Sequence, residues 1–216
     1  MPTRKATDAR NAGRALALLM KDHRKVQKAF KQFEKMHKAH DSSREDTIRE
    51  ICKELTVHTK MEEELFYPFA REHMEEGDLL DEANVEHAVA KQLVEQLQAG
   101  AGSEDERDAR FTVLGEYVSH HIEEEETRLF PKLKKMSEEL DTLGEQMLDR
   151  KIALMEEEGL DAEEARRERE RPRRPRQPAS RRAAPTRRRP AEGGRKTGRK
   201  SGTARGRTGA QTRRMA

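Results

Sequence analysis

The sequence predicts an all-α protein: an antiparallel up-down-up-down four-helix bundle, an extra C-terminal helix and a disordered basic tail. Three observations point there. Before Arg171 the only prolines are Pro2, Pro68 and Pro131, and long proline-free stretches rich in Ala, Leu, Glu, Lys, Arg and Met favour helix. Apolar residues recur three and four apart, the spacing of a helix face. Charged residues make up 40% and aromatics 4%, with no Trp, a supply that suits narrow buried stripes rather than a thick core.

The first helix is predicted from about Asp8 to about Met36, with Leu16, Leu19, Met20, Val26, Phe30 and Phe33 at helical spacing. The HDSSRED segment ends it and offers Ser42 or Ser43 as the next N-cap. A second helix follows from about Arg44 to about Met74, with Gly77 as its C-cap glycine. The third spans about Asp78 to Gln98, and AGAGS breaks it. Ser103-Glu-Asp-Glu106 is a capping box that opens the fourth, from about Glu104 to Lys135. Pro68 and Pro131 each predict a bend or an end just before them. Ser137 is the expected cap of a fifth helix that aligns Leu140, Leu143, Met147, Leu148, Ile152 and Met155. The chain thus divides into a bundle over 1–135, an added amphipathic helix over 136–170 and a tail over 171–216.

That tail has no aromatics and no helical stripe, so it cannot bury enough surface to offset its chain entropy and is expected to be disordered. It holds seventeen Lys or Arg and one acid, Glu192, a net +16, so the overall +3 leaves −13 on residues 1–170. Such a charge binds phosphates by counterion release, and RPRRPR with the scattered GR pairs suits minor-groove arms. The alternatives are a solubilising extension or one that folds back on the acidic body.

The single cysteine, Cys52, permits no disulfide within the chain and no Cys-type zinc site; it reads as a small core residue. No run of eighteen apolar residues exists, so no membrane helix is expected. The first twenty residues show no signal-peptide pattern. A cytoplasmic protein, nucleoid-associated through its tail, is the expectation.

One pattern is written twice. HTKMEEELFYP runs from His58 to Pro68 and HIEEEETRLFP from His121 to Pro131. A lone histidine precedes each: Asp22-His23 lies 35 residues before His58, and Glu86-His87 lies 34 before His121. The unit is a helical hairpin, and two such units make the bundle. Each histidine sits on its helix's apolar face, and residues four apart share a face, so His58 with Glu62 and His121 with Glu125 point inward together. Four imidazoles and two carboxylates then meet in an apolar interior. Buried unpaired carboxylates are costly, and a metal resolves that cost. Mixed N/O ligands at this count suit iron or manganese, as two ions bridged by Glu62 and Glu125, better than one tetrahedral zinc.

The remaining candidates read differently. His37, His40 and His73 lie among polar residues at helix ends, and His120 points about 100° off the stripe. Glu63, Glu64, Glu123, Glu124 and Glu126 read as a mostly solvated face. Tyr117, one turn before His121, is either a packing residue or a phenol beside the site.

His23, HTKMEEELFYP, His87 and HHIEEEETRLFPKL together resemble the hemerythrin-like family, in its HHE cation-binding branch, over about residues 10–135. The resemblance implies a four-helix bundle around a non-heme di-iron centre, with His23, His58, Glu62, His87, His121 and Glu125 as ligands and the glutamates bridging. Oxygen-carrying members have a second His one turn after the third-helix ligand, where this chain has Lys91, and place the last carboxylate five residues after the final His, which here is Glu126. Lys91 therefore argues against reversible oxygen carriage and for an open coordination position, able to take dioxygen, nitric oxide or peroxide. The leading expectation is an iron protein that binds or senses such a ligand or buffers iron. A di-iron peroxidase or oxidase comes second, and a nucleic-acid-associated protein acting through residues 171–216 third.

Overall fold

The computed structural model describes residues 13–75 and 77–171. Among them the structure is helical throughout, with no strand. Helix α1 spans Arg14–Lys38 and α2 spans Arg44–Met61. A π-helical turn over Glu62–Phe66 joins α2 without a break to α3, Tyr67–His73. The second hairpin repeats this plan. Helix α4 spans Asp78–Gln98 and α5 Glu104–Glu124; a π-helical turn over Glu125–Leu129 then leads into α6, Phe130–Leu133. Helices α7, Ser137–Glu157, and α8, Glu163–Glu170, follow. The all-α expectation holds. The expected tail over 171–216, apart from Arg171, and the expected helix start near Asp8 lie outside the described residues.

The four long helices close into a ring: α1 packs on α2 and α5, and α4 packs on α2 and α5. Two apolar clusters fill it. One holds Leu16, Leu19, Phe66, Leu80, Ala83, Phe130 and Leu133; the other holds Val26, Phe30, Phe33, Ile51, Leu55, Val94, Phe111 and Leu114. Helix α1 runs from the first cluster to the second, α2 returns, α4 goes out again and α5 comes back. On each pass the chain crosses the level of the four repeat histidines, so a polar layer separates two apolar ones.

Helix α7 packs along α1 and α2. Leu140, Leu143, Met147, Leu148 and Met155 are buried, with Ile152 partly so. Fully burying such side chains stabilises by about 1.5–3 kcal/mol each, which holds α7 on the bundle. The approach is close: a Cβ on Gly144 would lie 2.5 Å from the backbone nitrogen of Ala15. Only glycine fits there.

Several local expectations need correction. The capping box at Ser103 and Glu106 forms as read. Ser43 precedes α2 without capping it through its side chain; instead Asp41 accepts from both the backbone N–H and the hydroxyl of Ser43. Gly77 is not a C-cap but the residue ahead of α4, with φ −83. The second helix ends at His73, within a residue of the expected end, where Met74 turns extended. Ser137 is the first residue of α7 rather than its cap.

The prolines neither end nor break their helices. A proline cannot donate to the carbonyl four residues back, and its ring clashes with it. Here the turn ahead of each proline widens: the N–H of Tyr67 reaches the carbonyl of Glu62, and that of Phe130 reaches Glu125, five residues back in both cases. Pro68 and Pro131 then sit in the first turn of the next α segment, where a missing N–H costs nothing. The π turns begin at the two glutamates that the repeat singles out, and such turns often mark functional sites.

Candidate metal centre

All six residues singled out in the sequence come together. His23, His58, Glu62, His87, His121 and Glu125 are all buried. Their donor atoms converge in two overlapping groups, His23 with His58 and Glu62, and Glu62 with His87 and His121. Each carboxylate faces one histidine from each hairpin. Glu62 Oε2 lies 3.1 Å from His58 Nε2 and 3.4 Å from His87 Nε2. Glu125 Oε2 lies 3.3 Å from His23 Nε2, and its Oε1 3.8 Å from His121 Nε2. Glu126, the alternative to Glu125, lies outside this group.

The outer nitrogens show a second level of order. His23 Nδ1 lies 3.1 Å from Glu126 Oε1, and His87 Nδ1 3.1 Å from Glu63 Oε1. His121 Nδ1 lies 2.8 Å from Glu86 Oε2, and His58 Nδ1 3.9 Å from Asp22 Oδ2. Each ring therefore has a carboxylate behind it. The partners obey the repeat: Glu63 and Glu126 each follow the inner glutamate, and Asp22 and Glu86 each precede the lone histidine. A carboxylate at Nδ1 holds that proton and leaves the Nε2 lone pair for a metal. Reading Glu63 and Glu126 as solvated face was wrong. The available signal was their identical offset in both halves, together with the acid before each lone histidine.

The two halves differ in how the outer acids are held. Asp22 Oδ1 takes a short contact from Lys151 Nζ, reaching in from α7, and both groups are buried. Burial would raise the Asp22 pKa, but the Lys151 ammonium and His58 bring it well below the usual carboxylate range. Glu63 pairs at 2.7 Å with Lys91. Lys91 thus stands on the outer carboxylate of His87, not at a coordination position. The hydrogen bond from His87, helped by Lys91, brings Glu63 down to about 2, and the bond from His121 lowers Glu86.

The phenol at the site is Tyr67. Its hydroxyl donates to Glu125 Oε1 at 3.0 Å and lies 3.1 Å from His87 Nε2 and 3.4 Å from His121 Nε2. Tyr117, the phenol expected from the sequence, is 45% exposed and lines the pocket that the four histidines also line. Helical phase misplaced it, while the π turn swings Tyr67 inward. In the other hairpin Phe130 takes the place of Tyr67 and stacks on His23, with ring centroids 5.8 Å apart.

These residues fit a metal. His87 Nε2 and His121 Nε2 lie 3.2 Å apart, each ring having its other nitrogen against an ionised carboxylate, so two lone pairs would oppose each other without a cation between them. His23 Nε2, both oxygens of Glu62 and Glu125 Oε2 are buried without a hydrogen-bond partner, a costly state that cation binding relieves. Among the protein's own groups, burial and then the charge of Glu125 push the Glu62 pKa up. Glu125 is drawn down despite its burial by His23 and His121. For His23, burial opposes the charged form, but Glu125 and Glu126 outweigh it and raise it to about 10.

A pocket opens from this layer toward the second apolar cluster, walled by Val26, Leu55, Ala90, Val94, Val118 and Ile122. Of the other sites, Cys52 is a buried core thiol as expected. His37 is half-exposed and bonded to Asp108, and His120 is exposed.

Comparison with known sequences places this arrangement. The pattern of the Hemerythrin HHE cation binding domain matches residues 14–133. The chain belongs to the hemerythrin HHE cation-binding family. The match spans both hairpins and all six inward residues, and it ends before α7. A relative described as a DNA nickase, from Nostoc sp. (strain PCC 7120 / SAG 25.82 / UTEX 2576), is 32% identical over 114 residues. That alignment covers 52% of this chain and 31% of the relative, so the chain spans about a third of the relative's length. No solved structure matches the chain. Among the described residues no helix is long and apolar enough to cross a membrane.

Proposed function

We propose that this hemerythrin-family protein holds a di-iron centre through His23, His58, Glu62, His87, His121 and Glu125, and uses it to bind or sense dioxygen, nitric oxide or peroxide, or to buffer iron. The observation that carries the reading is the convergence of four Nε2 atoms on two carboxylates that each face both hairpins. Iron, when bound, supplies the ability to take a small diatomic or peroxidic ligand and to change oxidation state.

The chain's own residues set the conditions. Glu63, Glu86 and Glu126 keep the Nδ1 protons of His87, His121 and His23 outside and their Nε2 lone pairs inside, and Asp22 stands 3.9 Å behind His58. Tyr67 holds one oxygen of Glu125 by hydrogen bond and fixes that carboxylate's orientation. The Val26, Leu55, Val94 and Val118 walls exclude bulk water and suit small uncharged molecules over large or charged ones.

Metal analysis with an optical spectrum, recorded anaerobically and then after aeration, tests the reading. About two irons per chain and a ligand-to-metal band are expected. His58→Ala with His121→Ala abolishes loading; unchanged metal content in that variant overturns the assignment. Turnover of peroxide at constant iron would make it an enzyme.

The +16 charge of residues 171–216, with the similarity to a DNA nickase, favours nucleic-acid association as a second reading. Deleting 171–216 should abolish DNA retention on a gel while metal content stays constant. Retention by the truncated chain would refute the tail's role.

A further inference from the structure

The two hairpins are not equivalent on their outer flanks. In the first, the residues one step before His58 and Glu62 are Val57 and Met61. Both are buried and belong to the apolar cluster that α7 closes with Leu148 and Leu154. The matching residues of the second hairpin are His120 and Glu124, one step before His121 and Glu125. Among the described residues no helix covers them in the same way. His120 is exposed and Glu124 partly so. The outer acid of the first hairpin, Asp22, is neutralised by Lys151, whereas its counterpart Glu86 turns one oxygen to His121 and the other toward His120, at 3.7 Å.

Glu86, His120 and Glu124 bring a ligand atom each within 4.8 Å of one another. A second observation shows where this cluster leads. A small cavity is lined by Glu86 and Glu124 of the cluster, by His121 and Glu125 of the buried centre, and by Leu79, Ala83 and Leu129. Glu125 is buried and its Oε2 accepts no hydrogen bond. One imidazole and two carboxylates at the surface therefore adjoin a small cavity that two of the inward residues also line. Mixed N/O donors with open positions suit a labile divalent cation.

The geometry points to Glu86, His120 and Glu124 as an uptake site that captures a divalent metal ion at the surface and passes it through this cavity to His121 and Glu125. The inference rests on the metal-binding reading of the buried centre. Glu86 is the hinge of the transfer, since it touches both the outer imidazole and the inner one. Arg128 holds Glu124 in a short ion pair and also reaches Glu82 at 3.5 Å. An arriving ion must displace it from Glu124. Among the described residues the first hairpin offers no equivalent cluster, because α7 covers it with apolar side chains and Lys151 pairs with Asp22.

The test follows Co2+ binding by stopped-flow absorbance in full-length protein stripped with a chelator. His120→Ala with Glu124→Gln is expected to load about tenfold more slowly, through loss of local cation attraction, and to reach the same final Co2+ content as wild type. Arg128→Ala, which frees Glu124, is expected to load faster. Unchanged rates in both variants at normal final content would overturn the uptake site and leave the buried centre standing. Absence of Co2+ in the wild type would overturn the buried centre itself, and the uptake site with it. Since His120 is solvent-exposed, the single His120→Ala variant preserves the test should the double variant fold poorly; a wild-type rate there counts against the proposal.

Discussion

Tyr67 and Phe130 stand at the same place in the two hairpins, each nine residues after its histidine, yet only Tyr67 puts a hydroxyl on the site, 3.0 Å from Glu125 Oε1. The two halves of an otherwise repeated centre are thereby made chemically unequal. Tyr67→Phe removes a hydrogen bond to a carboxylate and is expected to cost about 1.5–3 kcal/mol. Urea unfolding measures it, and an unchanged midpoint would mean that the bond contributes nothing.

Lys151 ties an accessory helix to the centre. Lys151→Met leaves Asp22 buried and unpaired, which typically costs about 3–5 kcal/mol. It also frees the acid behind His58, and outer-shell losses of this kind weaken metal binding by about 10–100-fold. The double change Asp22→Asn with Lys151→Met should recover most of the stability but not the affinity. Denaturant melts and metal titrations separate the two effects.

Metal loading must release protons. His23 is raised to about 10 and Glu62 is also raised, so at neutral pH both hold protons that a cation displaces. Affinity is therefore expected to climb with pH through the neutral range and to level off near the His23 value. A pH-indicator dye in weak buffer, during loading, registers the released protons; no release would contradict the arrangement.

The Cys52 thiol is pushed up to about 12 by burial alone. With the thiol protonated across the physiological range, its thiolate is scarce and a disulfide reagent should modify it only on unfolding. Rapid labelling of the folded protein at pH 8 would show the side chain to be accessible.

Much of this was legible in the sequence, for physical reasons. Helical spacing carries which face is buried, so His23, His58, His87 and His121 were placed correctly by the apolar neighbours three and four residues away. The repeat supplied the pairing of the glutamates. What periodicity could not carry was a change of period. Tyr67 was overlooked and Tyr117 chosen because a 3.6-residue count ignores a wider turn. Lys151 was out of reach because its partner, Asp22, lies 129 residues away on a helix whose packing the sequence does not announce. The roles of Glu63 and Glu126 were hidden within a run of acids, where only structure separates the ones at imidazole nitrogens from the solvated ones.

The two widened turns have a consequence for how this centre could be lost. Each holds one residue more than an α turn would, at the point where ligand presentation gives way to the apolar stripe. Shortening either segment by a single residue would let the helix wind regularly again, carrying the glutamate and the residue before the proline out of phase with each other while leaving most of the apolar stripe able to pack. Fold and centre are thus separated by one codon in each hairpin, and a chain of this kind can become a plain helical scaffold without ceasing to fold.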